Sequence, residues 1–331
     1  MTCNLKFSVG YYLPDLYKCR ETVEAFSGHI EEVYFPWLDL ADGRGNSIRC
    51  QEEQEQMLDE LKAIHKNGIR LNMLLNANCY GEKAISVNFA ENLFSAIDNV
   101  FTLIGLEAIT TTSLFAAQLI KKRYPELEIK ASVNMGIGTV PGMEYVKNYF
   151  DSFYLQRELN RTPHKIKKLK EWCVKNGKKL YMLANSGCLR FCSAHTFHDN
   201  LVAHEREIAC QENAWTNFRG VCWQYLADPQ NELSFLRDST WVRPEDIDSY
   251  KGLVDGIKLA TRSHRRPEVV IESYVSRKHD GNMLSLCEPD FSGLGFIDNS
   301  RFPASWQSGL NNLPECEYDN YCKKVMKNVK R

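Results

Sequence analysis

The chain has almost no net charge: 41 Lys and Arg stand against 42 Asp and Glu, a formal −1. A general nucleic-acid binder needs a basic surplus to displace the counterions around phosphates, so that class is disfavoured. Long apolar runs are missing too, and no stretch approaches the roughly 20 residues of a membrane span. Residues 1–10 (MTCNLKFSVG) lack the charged start, apolar core and cleavage site of a secretory leader. A cytoplasmic protein with no membrane partner is therefore expected.

Familiar hydrolase and nucleotide signatures are also absent. The sequence holds no His-Glu-x-x-His, no Gly-x-Ser-x-Gly elbow, and no cysteine with an obvious paired base. Gly10 is followed by Tyr11 and Tyr12, not by the glycine-rich turn of a dinucleotide-binding sheet. The basic stretches 165–170 (KIKKLK) and 323–331 read as solvated helix faces, so RNA is a conceivable partner that the charge balance does not indicate.

Cysteine, by contrast, is plentiful, at 12 residues. With no sign of export, a disulfide framework is not the natural reading. Cys3, Cys19, Cys50, Cys79 and Cys173 stand alone and read as small packing residues.

Short β-rich runs alternate with helical stretches. The runs are 6–11 (KFSVGY), 31–35 (EEVYF), 69–75 (IRLNMLL), 107–110 (EAIT), 129–133 (IKASV), 152–155 (SFYL), 179–183 (KLYML) and 256–260 (GIKLA). Each is short and apolar, as parallel strands covered by helices are. Between them lie helices with proper ends. Residues 51–67 open acidic, space Met57, Leu58, Leu61 and Ile64 helically, and stop at Gly68. Ser113 and Thr162 read as N-caps, and Pro141, Pro163 and Pro267 open helices. Eight such units fit an α/β fold of the TIM (β/α)8 type better than a doubly wound sheet. The barrel is expected over 1–281, with an insertion at 185–250 after the seventh strand, and 282–331 as a tail packing on it.

In such a barrel the chemistry sits at the C-terminal strand ends. Asn76, Asn78, Thr110 to Thr112, Asn134, Gln156 to Glu158, Asn185 and Arg262 all fall there. One polar loop residue means little; a set converging on one mouth means more. The sharpest local signal follows the seventh strand, where Cys188, Cys192, His195 and His198 lie within one short stretch. These four could hold zinc. Cys188 and Cys192 could instead start a tetrathiolate iron–sulfur site. Cys210, Cys222, Cys287, Cys316 and Cys322 all lie in or after the insertion, and that asymmetry favours a cluster. Cys222 is the expected third ligand, and Cys316 or Cys322 the expected source of the fourth, ahead of Cys210. A radical S-adenosylmethionine motif is disfavoured: His195 occupies the place of its third cysteine, and the pair follows the wrong strand.

Several stretches together resemble the collagenase-like peptidase family U-32, of unknown catalytic type. They are VYF, ASVN, LQREL, the cysteine turn, and RPEDIDSYKGLVDGIKLATR into the eighth strand. The resemblance implies a barrel with a four-cysteine [4Fe–4S] cluster. It further implies oxygen-independent hydroxylation of RNA bases or quinone precursors, in some members with prephenate as oxygen source. Carried over by position, Cys188, Cys192 and Cys222 become cluster ligands, while Arg157, Glu158, Lys258 and Arg262 line the mouth. Where the family has Lys-Ile-Glu-Gly-Arg, this chain has Lys258-Leu-Ala-Thr-Arg262, and Cys222 has no close second cysteine, so the branch is divergent.

The expectation is an iron–sulfur enzyme acting on a small anionic substrate or cosubstrate bound by Arg157, Lys258 and Arg262, with Glu158 or Asn134 orienting the reacting group. The alternatives are a zinc hydrolase on Cys188, Cys192, His195 and His198, and a non-enzymatic cluster-bearing partner of a larger complex.

Overall fold

The computed structural model describes residues 5–12, 16–38, 40–43, 48, 50–209 and 220–331, so Cys3 and Cys210 lie outside the described residues. Strands β1 (Lys6–Gly10), β2 (Ile30–Phe35), β3 (Arg70–Leu75) and β4 (Ala108–Thr111) are followed by β5 (Glu128–Ala131), β6 (Ser152–Tyr154), β7 (Lys179–Leu183) and β8 (Gly256–Lys258). All eight pair in parallel, in chain order, and close through β1 and β8. This is the (β/α)8 barrel expected from the alternation.

Helices α1 (Leu16–Ala25), α2 (Gln51–Lys66), α3 (Val87–Leu103), α4 (Leu114–Arg123), α5 (Val140–Val146) and α6 (Pro163–Lys175) cover the first six crossovers. The insertion carries α7 (His195–Ala203), α8 (Glu205–Ala209), α9 (Val221–Ala227) and α10 (Ser234–Arg237). After β8 come α11 (Pro267–Ser276), α12 (Trp306–Asn312) and α13 (Glu315–Val329). Among the described residues no helix is long and apolar enough to cross a membrane.

The helix ends follow their local chemistry. Gly68, at φ 80°, takes the left-handed turn that ends α2, and its N–H reaches the His65 carbonyl. The Ser113 hydroxyl accepts from the Ala116 N–H and caps α4. Thr162 departs from expectation: it occupies the cap position of α6, but its side chain makes no cap bond. It leaves a tight 3-10 turn over Arg157–Arg161 at ψ 68°, outside the extended backbone from which a cap hydroxyl reaches forward.

Strand residues alternate between two layers. Phe7, Val33, Met73, Ile109, Ile129 and Phe153 belong to the large apolar shell beneath the helices. The inward set is polar in its lower part. The Ser8 hydroxyl and the Asn72 amide each donate to Glu32 Oε1 at 2.8 Å, and Lys130 Nζ lies 2.6 Å from Glu32 Oε2. Asn72 also meets the Thr110 hydroxyl at 2.9 Å. Five strands are thus tied across the barrel axis by one buried ion pair and its hydrogen bonds. Against the desolvation of full burial, the Lys130 ammonium and the Asn72 amide hold the Glu32 carboxyl below its ordinary range.

The tail packs against the insertion and the barrel, so the two share one core. Arg161 is the centre of that contact. Its guanidinium donates to the Leu236 carbonyl, to Tyr318 Oη at 3.0 Å and to Ser239 Oγ at 3.0 Å. It also lies over the rings of Trp241 and Trp306, 5.1 and 5.6 Å from their centroids.

Candidate active site at the barrel mouth

A cavity of about 380 Å³ opens at the C-terminal strand ends, roofed by the insertion. Its floor comes from strand ends: Tyr34 after β2's middle, Leu74 and Asn76 at β3, Leu183 at β7, Lys258 on β8. Cys188, Cys192 and Cys222 line it from the insertion, with His195, His198 and Asp199 beside them. Glu288 and Pro289 of the tail complete the wall.

The cysteine turn has a local cause. Asn185 ends β7 fully buried, with its amide bonded to the Ala260 and Leu286 carbonyls at 3.0 and 2.9 Å. Of the polar strand ends it is therefore a strut between β7, β8 and the tail. Gly187 then passes so close to the Pro289 carbonyl that a side chain there has no room. Phe191 adopts a left-handed φ of 53°, an uncommon conformation for a residue with a Cβ. That reversal returns Cys192 to the wall occupied by Cys188.

Arg157, at the end of β6, joins the sulfur wall to the roof. Its Nη1 donates to Cys188 Sγ at 3.1 Å, and its Nη2 lies 2.6 Å from His195 Nε2. The same His195 nitrogen is 2.9 Å from Asp199 Oδ2, which also accepts from the Asn78 amide at 2.9 Å. A guanidinium only donates and a carboxylate only accepts. Nε2 therefore accepts from Arg157 when bare and donates to Asp199 when it carries the hydrogen. Burial, and then the neighbouring Cys188 and Cys192, push the Cys222 thiol up to about 11.

Two further cations, Lys258 and Arg262, line the same cavity. Lys258 Nζ sits 4.0 Å from the Tyr34 ring centroid and 5.2 Å from that of Tyr154. Arg262 Nη2 meets Asp42 Oδ1 at 2.8 Å, while its buried Nη1 has no hydrogen-bond partner among the described residues. Asn134 lines the cavity and donates to the Asn76 carbonyl at 3.2 Å.

Asn134, Arg157, Lys258, Arg262, Cys188, Cys192 and Cys222 thus share one cavity. Glu158 does not: it is half-buried on the turn after β6 and outside the lining. Neither tail cysteine reaches the mouth. Cys316 is exposed on α13, and Cys322 is buried on the face that packs α13 towards α10, with Arg161, Asp319 and Asp238 around it. The amphipathic register of α13 turns both away. Cys287 lies instead directly behind the cysteine turn, its Cβ 3.3 Å from where a side chain on Gly187 would begin. Asp199 was not singled out from sequence, although His195-x-x-x-Asp199 is a legible i, i+4 pair on α7. Asp42 carried no sequence signal, and Tyr34 only as part of VYF, since their roles depend on contact with the far end of the chain.

A chain-closed parallel barrel with its polar residues gathered at the strand C-termini defines an enzyme-type barrel. No family model matches the chain. An uncharacterized protease of Methanocaldococcus jannaschii is 24% identical over 327 residues, covering 94% of this chain and 92% of the relative. Among solved structures, the U-32 peptidase Mk0906 superposes with a TM-score of 0.56 at 13% identity, over 77% of this chain and 92% of that one. The chain therefore resembles the U-32 peptidases in its barrel, and is related along nearly its whole length to a protein named as a protease.

Proposed function

We propose that this barrel is an iron–sulfur enzyme of the U-32 type that carries out an oxygen-independent hydroxylation, or a related redox change, on a small anionic molecule. The observation that carries this reading is that three cysteines and the buried cations Arg157, Lys258 and Arg262 line one cavity. Among the described residues no three His, Cys, Asp or Glu side chains gather closely enough for a single ion. An iron–sulfur cluster draws on cysteine thiolates, and Cys188, Cys192 and Cys222 all line the same cavity. His195 is moreover already engaged by Arg157 and Asp199.

Cys188, Cys192 and Cys222 would hold three corners; Cys287, buried behind the turn outside the cavity lining with its thiol on the Met283 carbonyl, would have to leave that contact to supply the fourth in place of Cys316 or Cys322. A bound cluster supplies a Lewis acid or an electron relay. Arg157 donates to Cys188 Sγ, a contact of the kind that orients and tunes cluster ligands. The spare Arg262 Nη1 and the Lys258 ammonium receive a carboxylate, with Asn134 orienting the reacting group beside them.

Metal retention separates this reading from the zinc alternative. Cys222→Ser and Cys287→Ser are expected to lose bound iron, whereas His195→Ala, His198→Ala and Cys316→Ser keep it. Loss of metal on the histidine changes, with Cys222→Ser harmless, would favour zinc on Cys188, Cys192, His195 and His198.

A further inference from the structure

Arg262 is held more firmly than the binding of an anion by itself requires. Its backbone lies against the end of β1, where a side chain on Gly10 would begin 2.8 Å from the Arg262 Cβ and 2.9 Å from its N. The preceding residue, Thr261, accepts from the Gly10 N–H at 2.7 Å. The guanidinium is then fixed by Asp42, whose fully buried carboxylate takes Nη2 at 2.8 Å. Asp42 comes from the loop after β2, and the next residue pins that loop across the mouth. The Gly43 N–H donates to Asn76 Oδ1 at 3.2 Å. A side chain on Gly43 would begin 2.9 Å from Asn134 Nδ2 and 3.0 Å from Asn76 Nδ2, so glycine is what lets the loop lie this close. One end of the guanidinium is thus occupied by a fixed carboxylate. The other, the buried Nη1, has no hydrogen-bond partner among the described residues.

This arrangement limits the charge that the site accepts. Among the groups lining the cavity, Arg157, Lys258 and Arg262 are matched in number by Asp199, Glu205 and Glu288, and Asp42 stands behind Arg262 in addition. A ligand with one negative charge meets the open end of Arg262. A second charge on the same group gains no net attraction from surroundings so balanced, yet loses its own hydration on entering. Leu74, Val133 and Leu183 also line the cavity and suit an apolar ring or chain. We propose, on the reading of this mouth as an anion site, that it selects a small apolar molecule bearing a single carboxylate, and that Asp42 excludes doubly charged groups such as phosphate monoesters. Asp42 is a positioning residue: it acts through Arg262 and does not touch the ligand.

Benzoate and phenyl phosphate share a ring and differ in the charged group, which on the phosphate is doubly ionised well above its second pKa of about 6. Titration calorimetry on the whole protein at about pH 8 is expected to show benzoate bound at least about tenfold more tightly. Arg262→Gln should abolish that binding and so place the probe. Asp42→Asn keeps an acceptor for Nη2 and removes the charge. It should raise the affinity for phenyl phosphate about tenfold and change that for benzoate less, so that the preference collapses. Asp42→Ala removes the acceptor too, and benzoate weakens as Arg262 loses its aim. Equal affinity of the parent for the two probes, no benzoate binding by the parent, or benzoate binding that survives Arg262→Gln would each overturn the assignment. An unchanged ratio in Asp42→Asn, or loss of both probes there, would do the same by leaving Asp42 a role in the fold alone. Iron counted in the same samples keeps the two readings apart. An iron-free protein that still prefers benzoate contradicts the cluster and leaves the selectivity standing; an iron-loaded protein without the preference does the reverse.

Discussion

Lys130→Met is expected to cost about 3–5 kcal/mol of folding stability, the range for stripping one partner from a buried ion pair. Lys130 and Glu32 are each 1% exposed and 2.6 Å apart. Without the ammonium, the carboxylate keeps the donors Ser8 and Asn72 but no counter-charge. The double variant Lys130→Met with Glu32→Leu removes the stranded charge and recovers much of the loss. The pH dependence should reverse as well. In the parent, Glu32 is held below its unfolded value, so its contribution is present above that value, about 4.3, and fades as pH falls through the folded pKa. In Lys130→Met burial outweighs the remaining Asn72 hydrogen bond and Arg70 charge and raises the folded pKa. That variant gains relative stability as pH falls through this raised folded pKa, and the gain is complete at the unfolded value. Urea melts at two pH values decide the matter; a variant within 1 kcal/mol of the parent at neutral pH would show that the barrel axis does not rely on the pair.

The second large effect is expected at Arg161. Arg161→Ala removes the donors to the Leu236 carbonyl and the Ser239 and Tyr318 hydroxyls, and takes the guanidinium from over the Trp241 and Trp306 rings. Hydrogen bonds to a charged group contribute roughly 1.5–3 kcal/mol each, non-additively, so a loss of about 3–4 kcal/mol follows. Limited proteolysis should find the tail first, because Arg161 joins the barrel to the insertion before α10's end and to α13. Arg161→Lys restores little: a single ammonium cannot meet carbonyl and hydroxyl partners on several sides. An unchanged proteolysis pattern in Arg161→Ala would mean that the apolar contacts of α12 and α13 hold the tail by themselves.

Residues such as Arg161 mark where the sequence stopped being legible. All eight strands could be read, because each is a short apolar run between a helix stop and a polar loop, and that pattern is local. The polar residues at the barrel axis were not read as a group. Ser8, Glu32, Asn72, Thr110 and Lys130 come from separate strands and meet only when the barrel closes. The cysteine turn was legible because its residues are neighbours in the chain. Its partners were less so: α13 looked like a source of ligands, but its helical register points Cys316 to solvent and Cys322 into the packing against α10.

The central claim is that the wall formed by Cys188, Cys192 and Cys222 holds an iron–sulfur cluster. The most direct measurement is iron and acid-labile sulfide per chain after strictly anaerobic purification, read together with absorbance near about 400 nm. A [4Fe–4S] site predicts about four of each per chain and a brown protein that bleaches on exposure to air. A colourless, iron-free protein from the same preparation, or one carrying stoichiometric zinc, would contradict it.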